Sequence, residues 1–312
     1  MTGRGAAGIA AALLGLAALA LLPACATDES LEAHDQRLLS ADIAALEPQR
    51  PGVVDLYVVG FAGDGTEDVF RNEVAYLDTL MSRRFGAGQR VLTLVNHVDS
   101  LSTAPRPLAT LANLRTALAG VGAVMDADED VLLLYLTMHG TADHELSVLL
   151  PPLVEQWITP GELRAAIDAA GIRNRVVAIS ACYSGGFIPA LRDAHTLVVT
   201  AARADRASFG CGVESDATFF GRAWLVEGLN RGTSFIGAYD VATAEISRWE
   251  RESDEVPSLP QIQAGGAIVR RLQRWQSQLV PGPAVPYPYD RDAQAAGDVH
   301  ASEPAAAVET SP

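Results

Sequence analysis

The sequence contains few cysteines and few basic residues, and each shortage excludes a class of protein. Three of its 312 residues are cysteine, which is too few for a small domain held together by several disulfides. The 23 Lys and Arg residues are outnumbered by 38 Asp and Glu residues, so the formal net charge is -15. No block of basic residues interrupts this negative charge, which disfavours binding to a phosphate backbone. We therefore expect no nucleic-acid partner.

The sequence is rich instead in apolar residues, which make up 49% of the chain. That fraction supports a sizeable hydrophobic core, and the length suits one large domain or two small ones. The chain shows no internal repeat. We expect a globular protein with additional segments at its two ends.

The N-terminus has the layout of a bacterial secretory signal: Arg4 is followed by an apolar run that ends in LPAC at 22–25. The small residues before Cys25 resemble a lipobox, in which the cysteine is acylated and becomes the new N-terminus. An uncleaved membrane anchor is the alternative, although the apolar run is marginal for a full span. Under either interpretation the domain is exported and tethered to a membrane. We predict a lipoprotein signal peptide at 1–24 and a lipid on Cys25. The domain would then lie in the cell envelope facing the periplasm, on the outer membrane if the envelope is Gram-negative, since Ala26 follows the cysteine.

Two further segments differ from the rest of the chain in composition. Residues 25–50 are polar and irregular, which is typical of a linker, and residues 281–312 are rich in Pro and Ala, which predicts a disordered tail. The folded domain is therefore predicted to span 51–280.

Within 51–280, short apolar runs alternate with stretches of helical periodicity. The runs predict strands at 53–63, 90–97, 130–140, 145–151, 175–180 and 195–202, and the periodicity predicts helices at 68–86, 110–125, 159–171, 216–230 and 234–254. This alternation is typical of an open α/β sheet with right-handed crossovers. In such sheets, ligands and catalytic groups gather at the carboxyl ends of the strands.

Three predicted strands end in His97, His139 and Cys182. A catalytic cysteine acts as the thiolate, so it needs a base or cation nearby and partial access to solvent. If the strands before His139 and Cys182 are neighbours, both side chains lie at one edge of the sheet. The N–H groups of Gly140 and Cys182 would then be placed to face a developing oxyanion. Periodicity alone leaves a second reading open, in which Cys182 packs as a small apolar residue and His139 caps a strand.

The blocks LTMHGTADHELSV and VVAISACYSGGF, followed by TAARADRASFGCG, resemble the legumain (asparaginyl endopeptidase) family of cysteine peptidases, in particular its exported bacterial members. The resemblance covers about 51–270. It implies a caspase-like three-layer fold, in which a mainly parallel sheet lies between helices. It also implies that Cys182 is the nucleophile and His139 its acid and base, with the amides of Gly140 and Cys182 as oxyanion donors.

The activity implied by the resemblance is peptide hydrolysis through a thioester acyl-enzyme, after Asn or Asp, without metal or organic cofactor. Attack by an amine in place of water would make the protein a transpeptidase, and a catalytically silent binding protein with the same fold is a further alternative. The sequence departs from the family at Tyr183, where other members often have an acidic residue. Candidates for the specificity pocket are Tyr183, Arg203, Asp205, Arg206 and Ser208.

Other histidines and acids carry weaker signals. His144, flanked by Asp143 and Glu145, suggests a metal site beside His139, but the spacing matches no known ligand pattern and favours a solvated loop. We therefore expect no metal. His97 and His195 are expected to be structural or exposed.

Two more residues invite a catalytic or regulatory reading. Ser184 is not expected to be a nucleophile, because no glycine stands two residues before it as in Gly-x-Ser-x-Gly. Cys211 is expected to be a buried free thiol. A sharper hypothesis is that Cys211 pairs reversibly with Cys182 under oxidation and so switches activity off.

Overall fold

The computed structural model of the chain describes residues 30–212 and 215–289. The predicted signal peptide at 1–24, Cys25 and residues 290–312 of the predicted tail lie outside these ranges, so what the sequence indicates about them stays a prediction. In the described part, no helix is long and apolar enough to span a bilayer.

A mainly parallel sheet forms the centre of the described part. The strands are β1 Leu56–Ala62, β2 Val91–Val95, β3 Val131–Thr137, β4 Leu146–Leu150, β5 Val154–Ile158, β6 Arg175–Ser180, β7 Thr196–Thr200 and β8 Gln261–Ala264. Six of them form one sheet in the order β2-β1-β3-β6-β7-β8, in which β8 alone runs antiparallel to its neighbour. The strands β4 and β5 form a separate antiparallel hairpin. Every strand predicted from the sequence is present, and β5 and β8 were not predicted.

Helices cover both faces of the sheet. They are α1 Leu31–Ala44, α2 Asp68–Arg83, α3 Leu111–Val124, α4 Pro160–Ala169, α5 Ile188–Leu191, α6 Phe219–Gly221, which continues as a π-helix over Arg222–Leu229, α7 Phe235–Glu252 and α8 Gly266–Gln278. One hydrophobic core lies between the sheet and α2, α6, α7 and α8, and the other lies between the sheet and α1, α3 and α4. The predicted α/β class, with a mainly parallel sheet between two helical layers, is confirmed.

The strand β3 shows why the central strands are apolar along their whole length. Leu133 and Tyr135 point into the core beneath α2, whereas Leu132 and Leu134 point into the core beneath α3. Because side chains alternate between the faces of a sheet and both faces are covered, every position of the strand is buried.

The prediction of an irregular linker over 25–50 is wrong for residues 31–44, which form α1. Ser30 caps this helix by accepting a hydrogen bond from the N–H of Ala33, and Leu39 is buried against the domain. The carboxylate of Asp35 is buried as well and accepts hydrogen bonds from the side chain of Asn113 and the N–H of Leu108. Part of the inner face of this helix is therefore polar and bonds to polar partners in the domain.

The prediction of disorder from residue 281 onward is wrong as far as residue 289. Val285 is buried in the core, and its N–H donates to the side-chain oxygen of Asn230. The hydroxyl of Tyr76 in turn donates to the carbonyl of Val285 at 3.0 Å. Because its backbone is bonded to α2 and to the end of the π-helix, this Pro-rich stretch is ordered without secondary structure of its own.

Candidate active site

His139 and Cys182 follow two neighbouring parallel strands. In β3 and β6, Thr137 pairs with Ser180, and the N–H of Met138 donates to the carbonyl of Ser180 just beyond the last pair. The polypeptide continues for two residues past that pair in both places, to His139 after β3 and to Cys182 after β6. The expectation that these two residues leave adjacent strands at the same edge of the sheet is therefore confirmed.

The backbone of Gly140 lies directly against Cys182. A Cβ atom built on Gly140 would overlap the carbonyl oxygen of Cys182 and would crowd the side chain of Ala181. Only glycine permits so close an approach of two backbones. Within residues 30–212 and 215–289, the N–H groups of Gly140 and Cys182 take part in no backbone hydrogen bond.

The imidazole of His139 is held by residues at the start of α2. The ring of Phe70 meets it edge to face, with the ring centroids 5.2 Å apart and the planes at 84°. The carboxylate oxygen Oε1 of Glu67 lies 3.4 Å from Nε2 of His139. The backbone of His139 is fixed separately, because its carbonyl accepts from the N–H of Ser147 in β4. Sequence reasoning did not identify Glu67 or Phe70.

The thiol of Cys182 is half-buried and in contact with Ser208. The N–H of Ser208 points at Sγ from 3.2 Å, and the hydroxyl of Ser208 lies 3.7 Å from the same atom. An N–H donated to sulfur stabilises negative charge on it. The thiol in turn lies 3.5 Å from the carbonyl oxygen of Ser208, to which it donates, so the backbone of Ser208 holds the sulfur through both groups.

The chain turns sharply immediately after Cys182. Tyr183 has φ +56°, in the left-handed region that a bulky residue rarely adopts, and its N–H donates to the carbonyl of Arg206. The N–H of Gly185 donates to the carbonyl of Ala202, and Ser184 is fully buried, with its hydroxyl accepting from the N–H of Ala202. Ser184 therefore acts as a structural group that ties this turn to the loop after β7.

Three of the predicted pocket residues on the loop after β7 contact one another: the N–H of Arg206 donates to the carbonyl of Arg203, and its guanidinium lies 4.0 Å from the carboxylate of Asp205. Ser208 contacts Cys182, and Arg206 is bonded through its carbonyl to the turn at Tyr183. Arg203 and Asp205 instead form an exposed ion pair with each other, with Nε and Oδ1 2.5 Å apart. The buried Nε of Arg206 has no hydrogen-bond partner among the described residues. The structure thus brings Ser208, Tyr183 and Arg206 to the turn that carries Cys182, and it places the pair of Arg203 and Asp205 on the surface.

His144 joins two loops. Its Nε2 atom lies 3.0 Å from the carbonyl oxygen of Ala204, and its ring packs on Gly186 so closely that a Cβ there would overlap it. Over the described ranges, no group of three or more His, Cys, Asp or Glu side chains is arranged to hold a metal ion.

Of the remaining candidates, His97 and His195 sit apart from the Cys182 turn, whereas Cys211 is close enough for the charges of Cys182 and Glu67 to act on it. His97 is buried and contacts Asp68 at 3.0 Å, while His195 precedes β7 at the opposite edge of the sheet. Cys211 is a free, half-buried thiol, and burial raises its pKa to about 11.

A buried carboxylate lies beneath the site and was not identified from the sequence. Glu73 of α2 accepts hydrogen bonds from the hydroxyls of Tyr135 and Thr137 and from the N–H of Thr218, each at 2.7 Å. Burial raises the pKa of Glu73, and these hydrogen bonds oppose that shift. Glu73 therefore joins α2 to the strand that ends in His139 and to the start of α6. Its place four residues after Val69 on an apolar helix face was a signal that it is buried.

One comparison with known proteins gives a match at the level of family. The model of the Peptidase C13 family matches residues 108–264, a range that contains both His139 and Cys182. A search of curated proteins finds no match. Among solved structures, the chain is similar to the crystal structure of caspase-1 from Spodoptera frugiperda, with a TM-score of 0.46 and 12% identity. That match covers 70% of this chain and 95% of the caspase chain.

Proposed function

The chain belongs to the Peptidase C13 family, and from this premise we propose that it is a legumain-like cysteine endopeptidase with a His139/Cys182 dyad. The observation that carries the proposal is the position of the two residues. They follow adjacent parallel strands at one edge of the sheet, and a backbone N–H is directed at the cysteine sulfur.

In the proposed reaction, His139 takes the proton of the Cys182 thiol and the thiolate attacks the carbonyl carbon of the peptide bond. The tetrahedral intermediate collapses as His139 gives this proton to the leaving amine, and a thioester to Cys182 remains. A water molecule, deprotonated by His139, then hydrolyses the thioester, which releases the carboxylic acid and restores the thiol. The contact with Ser208 supports the proposal because a backbone N–H is directed at the sulfur atom that would form the acyl-enzyme.

The N–H groups of Gly140 and Cys182 are proposed to stabilise the oxyanion of each tetrahedral intermediate. Two observations support this role. The backbone of Gly140 lies against that of Cys182, and neither N–H takes part in a backbone hydrogen bond within the described ranges. Preorganised donors of this kind contribute strongly to acyl transfer.

We expect Gly140→Ala to lower kcat for peptide hydrolysis by about 100-fold, because the added methyl group overlaps the Cys182 carbonyl and displaces both donors. Steady-state kinetics on the folded variant measure this. Gly161→Ala is the matched control, since a Cβ on Gly161 meets no atom within 4 Å. Equal kcat values for the two variants would contradict the proposed oxyanion role of Gly140.

The side chain recognised before the cleaved bond is proposed to be Asn or Asp. A polar side chain is supported by Arg206, whose buried Nε has no hydrogen-bond partner among the described residues and whose backbone is bonded to the turn at Tyr183. The cleavage products of a proteome-derived peptide library identify this side chain and report activity at the same time.

A thiol-reactive peptidyl probe is expected to modify Cys182 far faster than Cys211 at pH 7. With its pKa raised to about 11, only about one Cys211 side chain in 10,000 is a thiolate at that pH. The half-buried Cys182 instead receives an N–H from Ser208. Mass spectrometry of the labelled protein measures both rates, and the urea-unfolded chain, in which the two thiols should react alike, is the control.

Three outcomes of these measurements separate the candidate functions. Fast labelling of Cys182 together with peptide cleavage supports the endopeptidase. Products that form only when an amine is added indicate a transpeptidase. Two equally slow thiols and no cleavage would contradict catalysis and indicate a binding protein.

The position in the cell is proposed from the sequence alone. Cys25 is proposed to carry lipid and to hold the domain at the membrane facing the periplasm, where polypeptides are the substrates. Residues 1–29, which bear on this, lie outside the described ranges. Mass spectrometry of the mature N-terminus tests it, because a lipid-modified Cys25 would be the first residue.

A further inference from the structure

The carboxylate of Glu67 lies beside the ring nitrogen Nε2 of His139. We infer that Glu67 is a positioning residue, which holds the imidazole of His139 in the orientation needed for catalysis; this inference rests on the function proposed above. The contact joins Oε1 of Glu67 to Nε2 of His139 at 3.4 Å, and the Glu67 side chain is 18% exposed.

The position of Glu67 in the chain would normally let its carboxylate cap a helix. Glu67 is the N-cap residue of α2, a position from which a side chain commonly accepts a hydrogen bond from the first turn of the helix. Glu67 makes no such bond. Its second oxygen, Oε2, is buried without a hydrogen-bond partner among the described residues. The histidine is therefore the group to which this carboxylate is directed.

The neighbouring carboxylates have other partners. Asp68 contacts Nε2 of His97 at 3.0 Å and the guanidinium of Arg71 at 3.3 Å. Asp64 accepts from the N–H and the hydroxyl of Thr66. Glu67 is thus distinguished from both acids by its contact with His139.

The imidazole is held from two directions. Phe70, three residues after Glu67, packs edge to face against the ring, and the carboxylate engages Nε2. Because the carboxylate lies beside Nε2, the proton exchange with the Cys182 thiol is assigned to Nδ1. A carboxylate beside the ring also stabilises the imidazolium that forms when this thiol loses its proton. The same negative charge acts on the neighbouring Cys211 thiol, where it adds to the effect of burial in raising the pKa.

The test compares Glu67→Gln with the matched control Asp68→Asn in the full-length protein. Glu67→Gln is expected to lower kcat about ten- to 100-fold with KM nearly unchanged, because the ring is no longer fixed at the reacting atoms. Both limbs of the pH profile of kcat/KM should move to lower pH, since a negative charge that favours proton binding is lost. Asp68→Asn removes the same charge one residue away and should leave kcat and the pH profile of kcat/KM nearly unchanged.

A second measurement does not depend on turnover. The rate at which iodoacetamide alkylates Cys182, followed against pH in a Cys211→Ser background, should show its midpoint at lower pH in Glu67→Gln than in the parent. In a His139→Ala background, Glu67→Gln should have little effect, because its action passes through the histidine. If the parent protein cleaved no peptide, the proposed function would fail, while the alkylation profile would still test Glu67.

Two results would overturn the positioning role. One is a Glu67→Gln protein whose alkylation profile matches that of the parent. The other is an equal shift in Asp68→Asn, which would attribute the effect to the general negative charge at the start of α2.

Discussion

Replacing Cys182 with Ser is expected to lower kcat/KM for peptide hydrolysis by about 10,000-fold or more, because the thiol is the atom proposed to form the acyl-enzyme. Serine is close to cysteine in size, so the contacts with Ser208 and Gly140 change little. The hydroxyl is a much weaker nucleophile near neutral pH than a thiolate. Initial rates on the peptides found in the library, with the variant's folding checked by circular dichroism, measure the effect.

Cys211→Ser is the matched control for this prediction. It makes the same chemical change at a half-buried thiol that burial keeps protonated, so activity should stay within about twofold of the parent. If Cys182→Ser hydrolysed peptides as fast as the parent and Cys211→Ser lost activity instead, the nucleophile would be Cys211. The Cys211→Ser protein also tests the proposed redox switch, since without Cys211 no disulfide with Cys182 can form and oxidative inactivation through that pair should disappear.

Replacing His139 with Ala is expected to lower kcat/KM by about 100- to 10,000-fold, because proton transfer to the leaving amine loses its donor. The fall should be smaller than for Cys182→Ser, since a thiolate formed at higher pH still attacks. Measurement of kcat/KM from pH 5 to 10 should therefore show part of the activity returning at alkaline pH.

The matched control is His97→Ala, which removes the other histidine that follows a strand at the same edge of the sheet. His97 contacts Asp68 and accepts from the N–H of Asp99 through Nδ1, so its loss should lower stability more than catalysis. Comparable losses of kcat/KM in both variants, with both still folded, would contradict a specific role for His139.

These two residues could be singled out in the sequence because each lies two positions beyond a buried parallel strand, and the family resemblance then implied their roles. Strands such as β3 and β6 are apolar at every position, since both of their faces are covered, and such a run is visible without a structure. The polar residue that ends the run is visible for the same reason. Their adjacency was an assumption at that stage, and the register of Thr137 with Ser180 confirms it.

The predictions for the two ends of the domain, an irregular linker over 31–44 and disorder over 281–289, were wrong for the same reason. In α1, the buried Asp35 finds its partners in Asn113 and Leu108, far along the chain. Near residue 285, the backbone bonds to Asn230 and Tyr76. A polar or Pro-rich segment that is stabilised by distant partners looks like a linker or tail, because the partners lie outside any window in which periodicity is read.

The sequence by itself determined the α/β class and the buried strands, because each follows from a local pattern, and its resemblance to a known family assigned the two residues proposed to carry out the chemistry. Only the tertiary structure decided what surrounds those residues: Ser208 at the Cys182 sulfur, Glu67 at His139, and the backbone of Gly140 against that of Cys182. Each of these contacts joins separate segments of the chain. Their geometry depends on strand order and helix packing, which no local pattern of residues specifies.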